Sequence, residues 1–201
     1  MSDGRPVDNS RRNLLVATCA AGGVAGVAAA VPFVGTFAPS EKAKAAGAPV
    51  EADISGMAIG ELRTFEWRGK PVWVIRRSKE MVDELKKNDP ELADPQSRRN
   101  QSELTPMPET RNEYRSLKPE YLVAVGVCTH LGCVPSARFE PGSQPSLPND
   151  WPGGFLCPCH GSTFDLAGRV YKNKPAPDNL PVPPYAFLSD GKILIGEEKK
   201  A

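Results

Sequence analysis

Hydrophobic and polar positions divide the 201-residue chain into two unlike parts. Between Asn13 and Ser40 no residue is charged, and Leu14 to Phe37 reads LLVATCAAGGVAGVAAAVPFVGTF. Crossing a hydrocarbon core takes roughly 20 helical residues, so the pattern predicts a single transmembrane helix over 14–38. Beyond it, short apolar runs alternate with turn signals. Leu62 to Trp67 and Lys70 to Arg76 are rich in aromatic and β-branched residues and flank Arg68-Gly69, which predicts a hairpin. Ala186 to Ser189 and Lys192 to Ile195 flank Asp190-Gly191, a dipeptide that tolerates the positive φ of a tight turn and so predicts a second hairpin. Tyr121 to Val127 and Gly154 to Leu156 are continuous apolar strand candidates, and Ser78 is placed to cap a short helix through Lys87. Asn88 to Lys118 is polar, punctuated by proline and without clear period, and is expected to run over the surface. The expected fold is all-β: a small antiparallel head domain over 50–201, tethered to one N-terminal helix.

Residues 1–13 precede the apolar run and contain Ser10-Arg11-Arg12-Asn13-Leu14-Leu15, which resembles the twin-arginine export signal that carries folded proteins across a bacterial membrane. A cleaved signal peptide has an apolar region of only about 7 to 15 residues, so the length favours a retained anchor. The expected topology is therefore a single pass through the bacterial inner membrane, with residues 1–13 cytoplasmic and the head periplasmic. Gly22, Gly26 and Ala30 form a small-xxx-small face that would admit a second helix, although any Ala/Gly-rich signal would carry one. Residues 39–49 (PSEKAKAAGAP) read as a flexible hinge.

Composition sharpens the picture at two points. With 25 Lys plus Arg against 24 Asp plus Glu the formal charge is +1, so a nucleic-acid partner has no electrostatic support. Of 21 prolines, 11 fall between Pro135 and Pro184, which predicts rigid, irregular loops there. His130 and His160 are the only two histidines, so any imidazole chemistry must use them.

Both histidines and four of the five cysteines fall in two boxes. Cys128-Thr129-His130-Leu131-Gly132-Cys133 follows the first apolar strand, and Cys157-Pro158-Cys159-His160-Gly161-Ser162 follows the second. Two structural disulfides would suit an exported domain but leave the concentration of histidine unexplained. Tetrahedral zinc takes four ligands, whereas six candidates stand here at C-x-H and C-x-x-H spacings that match neither common finger. One Cys and one His from each loop would also serve a binuclear iron–sulfur cluster.

The two boxes resemble the Rieske family, and within it the high-potential, quinol-oxidising iron–sulfur subunits of cytochrome bc1 complexes. The likeness extends from the anchor and hinge through both boxes to the Lys174-Pro175-Ala176-Pro177 loop ahead of Leu180-Pro181-Val182-Pro183. It implies one Rieske-type [2Fe-2S] cluster held between loops 128–133 and 157–162. Cys128 and Cys157 would bind one iron, His130 and His160 the other, and a Cys133–Cys159 disulfide would pin the loops together. Ser162 matches the family serine whose hydroxyl bonds a bridging sulfide, Gly161 permits the close approach, and Leu131 with Pro175 to Pro177 would shield the cluster from water. Phe164 departs from the family pattern, because mitochondrial-type members carry a Tyr there that donates to a ligand sulfur; a lower potential is expected. Pro141 to Gly154 resembles a surface insertion between the boxes.

The implied role is that of an oxidoreductase subunit. Through His160 and His130 it would take an electron and a proton from ubiquinol at cytochrome b, pass the electron to cytochrome c1, and contribute to proton translocation in a dimeric complex. A Rieske small subunit of a periplasmic oxidoreductase such as arsenite oxidase is the alternative within the family, and a non-redox zinc or disulfide-stabilised module the alternative outside it. An oxygenase terminal subunit is excluded, since its mononuclear iron would need two further histidines.

The ligand types have an electrostatic rationale. Two ferric ions and two sulfides carry a net charge of about +2, so two thiolates bring the oxidised cluster to neutrality where four would leave it near −2. Adding an electron is then less opposed, and Rieske centres span roughly −150 to +300 mV against about −400 mV for all-cysteine plant-type clusters. An imidazole that binds oxidised iron through one nitrogen also acidifies the N–H on the other, which couples electron and proton uptake.

Overall fold

The computed structural model describes residues 9–41, 47–99 and 107–197, and the chain separates into an N-terminal unit up to residue 45 and a head from residue 46. In the first unit, helix α1 spans Asn9–Gly35, 27 residues of which none is buried. It begins earlier than the expected 14–38 and takes in Arg11 and Arg12, good helix formers in their own right. Its apolar side chains, among them Leu14, Val24, Val27 and Phe33, stand exposed, as expected of a helix whose solvent is hydrocarbon. The hydroxyl of Thr18 satisfies itself within the helix by donating to the Leu14 carbonyl at 2.8 Å. Of the hinge, residues 42–46 lie outside the described residues.

The head consists of three three-stranded antiparallel sheets. One orders β1 (Val50–Asp53), β9 (Lys192–Ile195) and β8 (Tyr185–Ser189); the second orders β2 (Leu62–Trp67), β3 (Lys70–Arg76) and β4 (Tyr121–Val125); the third orders β5 (Ser136–Arg138), β6 (Gly154–Leu156) and β7 (Thr163–Phe164). The β2–β3 hairpin closes as the pattern predicts, with Arg68 at φ 53° and Gly69 at φ 68°, the left-handed pair that a two-residue turn between twisted strands requires. At the second hairpin the strands also pair, Ser189 opposite Lys192, but neither Asp190 nor Gly191 takes a positive φ. A register shift between Phe187 and Ser189 supplies the twist there instead.

Strands β3 and β4 explain their own continuous apolar sequence, because both faces of this wall are covered. Val72, Val74, Val123 and Val125 point into a core shared with Ala52, Tyr185, Ile193 and Ile195. The alternate residues Trp73, Ile75, Leu122 and Ala124 point into a second core that contains Cys128, Phe155, Cys157, Phe164 and Leu180. Trp73 stacks on Phe155 with centroids 4.9 Å apart, so the central sheet and the loop-bearing sheet share one aromatic contact.

The 88–118 segment corrects the sequence expectation. Ser78 does cap helix α2 (Lys79–Leu85), its Oγ accepting the Met81 amide at 3.1 Å, and a 3-10 turn continues over Lys86–Glu91. The segment that follows is no surface excursion: Leu92, Met107, Thr110, Arg115 and Ser116 are all buried. A polar sequence hides this, since Arg115 is buried by donating to main-chain carbonyls instead of by apolar packing. Residues 100–106 lie outside the described residues. The 141–154 insertion is exposed or half-buried as far as Asp150, as expected of a surface segment. Its end is stapled down by Trp151, which is buried and donates Nε1–H to the Arg138 carbonyl at 2.8 Å.

Candidate metal centre

Strands β4 and β6 each run into a six-residue loop, and the two loops have one conformation. In the first, the Cys128 amide donates to the Cys133 carbonyl (2.7 Å) and the Gly132 amide to the Cys128 carbonyl (3.0 Å). In the second, the Cys157 amide donates to the Ser162 carbonyl (2.7 Å) and the Gly161 amide to the Cys157 carbonyl (3.0 Å). The fifth residue must turn through the left-handed region, with Gly132 at φ 83° and Gly161 at φ 72°, which is why both are glycine. A disulfide between Cys133 and Cys159, 26 residues apart with Cα atoms 6.7 Å from each other, ties the loops face to face.

The remaining donors sort by depth. Cys128 and Cys157 open the two loops, are both free and are each only 2% exposed in the second core. Burial pushes the Cys128 thiol up and its neighbour Cys157 adds to this, while the His130 amide and the Ser162 hydroxyl act in the opposite direction. His130 is half-buried and His160 exposed, and their rings meet edge to face at 4.7 Å. Two thiols therefore lie beneath two imidazoles. The sulfurs of Cys133, Cys157 and Cys159 lie within 4.8 Å of one another, but the disulfide consumes two of them, so this trio is no three-thiolate zinc site.

The donor set matches what a binuclear Rieske cluster needs: two buried thiols, which become thiolates on iron, and two imidazoles, delivered one of each per loop. The surrounding contacts hold the loops rigid. Ser162 is fully buried and its Oγ accepts the Ala176 amide at 3.0 Å. Thr129 donates its hydroxyl to the Asp178 carbonyl at 2.6 Å, and Arg99 donates to the Pro177 carbonyl at 2.8 Å. The proline-rich loop is thus bonded to both cluster loops. Its buried residue is Ala176, whereas Pro175 and Pro177 are exposed and Leu131 is 71% exposed. Phe164 is fully buried in the core of Cys128 and Cys157. The contacts of Thr129, Ala176 and Arg99 carried no sequence signal, because each depends on a main-chain carbonyl or amide brought in from elsewhere.

Fold and site together define a disulfide-pinned electron carrier with a mixed thiol and imidazole centre. Residues 49–184 match the model of the Rieske [2Fe-2S] domain, and residues 1–40 match that of the ubiquinol–cytochrome c reductase Fe–S subunit twin-arginine signal. The chain is 55% identical over 190 residues to the ubiquinol–cytochrome c reductase iron–sulfur subunit of Allochromatium vinosum, covering 94% of this chain and 89% of that one. It is 44% identical over 189 residues to the subunit of the same name from Bradyrhizobium diazoefficiens, covering 93% and 94%. A chain of a solved structure described as a hyperthermophilic respiratory Complex III aligns with a TM-score of 0.46 at 27% identity, covering 89% of this chain and 97% of that one. The chain belongs to the Rieske family, in its branch of ubiquinol–cytochrome c reductase iron–sulfur subunits. It carries that family's [2Fe-2S] cluster and is anchored in a membrane by its N-terminal helix.

Proposed function

We infer that the chain is the electron-carrying subunit of a ubiquinol–cytochrome c reductase, with Cys128 and Cys157 on one iron and His130 and His160 on the other. The observation that carries this reading is the placing of both imidazoles together at the outer end of the site, with His160 exposed, above two buried thiols. When bound, the cluster supplies a high-potential one-electron acceptor. The protein's own groups do the rest. His160 offers its outer ring nitrogen to a quinol hydroxyl, and His130 stands beside it as the second accessible imidazole. Leu131 and Val134, 71% and 53% exposed, make an apolar rim that would exclude water when the tip docks on cytochrome b. The disulfide and the matched loop hydrogen bonds keep the ligands in place while the head travels on its hinge to cytochrome c1.

The twin-arginine segment favours a head on the periplasmic side of a bacterial inner membrane, where the quinol proton is released. Purification of the native complex tests the assignment: ascorbate reduction yields a low-temperature Rieske EPR signal in a particle that also contains b- and c-type haem. A complex without c-type haem, or an EPR-silent one, contradicts it.

A further inference from the structure

Behind the cluster loops, Arg77 and Arg115 from distant segments converge on the turn between Asp165 and Arg169. Arg169 is fully buried, its guanidinium bound to Asp165 (2.7 Å) and to Asp89 (2.7 Å). Arg77 donates to the Leu166 carbonyl at 3.1 Å, and Arg115 to the carbonyls of Ala167 (3.0 Å), Gly168 (3.2 Å) and Leu180 (2.6 Å). Arg77 and Arg115 are 2% and 1% exposed. Among the described residues neither forms a salt bridge, and the Nε of Arg115 has no acceptor. The one fully buried carboxylate among the described residues, Asp165, is already committed to Arg169 and to the amides of Ala167 and Arg169. Asp165 attracts both guanidinium groups without forming a close pair with either, and burying them in this way costs stability that an apolar side chain of similar volume would not, which leaves room for a role besides folding.

Position supplies one. Leu180, whose carbonyl receives Arg115, lies in the same apolar core as Cys128 and Cys157. Two residues earlier the Asp178 carbonyl receives the Thr129 hydroxyl, next to Cys128. Two residues of chain span at most about 7 Å, so the Arg115 charge lies within about 12 Å of the Thr129 hydroxyl. Ala176, Leu180 and Phe164 of that core are all buried, so water screens little of the field within it.

We propose that Arg115 and Arg77 are potential-setting residues: fixed positive charges behind the cluster that favour its reduced form and so raise its midpoint potential. The proposal rests on the ligand reading above. It also accounts for a site that lacks a hydroxyl at Phe164 yet must accept electrons from quinol. A unit charge at about 12 to 15 Å through a medium of effective dielectric about 20 changes a one-electron equilibrium about five- to tenfold, or about 40–60 mV at 59 mV per decade. These are positioning charges that never touch the cluster.

Redox titration of the purified complex, monitored by EPR, tests this with Arg115→Met and Arg77→Met. A wild-type complex without a Rieske signal would fail the ligand reading, not this proposal. The expected result is a native line shape with a midpoint lowered by an amount that stays the same in 1 M salt, larger for Arg115→Met. A native midpoint in either variant that assembles, or loss of the cluster from both, assigns the arginines to folding alone and overturns the proposal.

Discussion

The Oγ of Ser162 accepts the amide of Ala176 at 3.0 Å, and this one contact fixes which way the serine hydroxyl can donate. With a lone pair committed to the proline-rich loop, its proton is left for a sulfur of the site, either the bridging sulfide that the family resemblance implies or the Cys128 sulfur, whose thiol it holds down. A hydrogen bond to a ligand sulfur stabilises the reduced, more negative cluster. Ser162→Ala therefore lowers the midpoint by the equivalent of about 1–2 kcal/mol, measured by potentiometric titration followed by circular dichroism; an unchanged midpoint contradicts the assignment.

Phe164 is fully buried against Cys128 and Cys157 and brings no donor. Phe164→Tyr places a hydroxyl in that core, where it must find a partner or cost about 1–3 kcal/mol of stability. The expected partner is a ligand sulfur, so the variant has a raised midpoint with little loss of thermal stability. A lowered melting temperature at a native midpoint would mean that the hydroxyl finds no sulfur.

The Cys133–Cys159 bridge spans 26 residues, a loop for which chain entropy predicts about 3–4 kcal/mol. Cys133→Ser should lower the melting temperature of the head by about 10 °C, given about 2–4 °C per kcal/mol in a domain of this size. It should also shorten the lifetime of the visible cluster absorbance in air, because the two loops are then joined only through the rest of the fold. A variant with native Tm and native cluster lifetime contradicts the pinning role.

Tyr185 is 1% exposed and its hydroxyl oxygen accepts the Leu117 amide at 2.8 Å. Burial pushes its pKa up to about 12 from 10.0. Since the folded value lies above the unfolded one, the associated stability is fully present below pH 10 and is lost as the pH rises through 12. Between pH 9 and pH 11, wild-type stability should fall by about 1.4 kcal/mol more than that of Tyr185→Phe. Urea unfolding followed by tryptophan fluorescence reads the difference; parallel pH profiles would contradict it.

What the chain reveals before folding follows from how local each feature is. The cluster boxes, the Arg68-Gly69 hairpin and the Ser78 cap depend on a few adjacent residues, and each forms where its sequence places it. Strands β1, β5 and β7 have only 4, 3 and 2 residues, too short for any period to register. The Arg77, Arg115 and Arg169 hub is invisible for another reason. Many of its partners are carbonyls 37 to 89 positions away, and a buried arginine looks in sequence like any solvated one. Thr129 lies within the first box, but its acceptor, the Asp178 carbonyl 49 residues on, comes into place only once the proline-rich loop has folded over.

The ligand set is the claim on which the rest stands. Pulsed EPR of the ascorbate-reduced complex detects nitrogen bound directly to iron. With His130 and His160 as the two ligands, the spectrum holds two strongly coupled histidine nitrogens, and labelling histidine with nitrogen-15 moves both. One coupled nitrogen, or none, would mean that the two imidazoles 4.7 Å apart do not share an iron, and would contradict the site described.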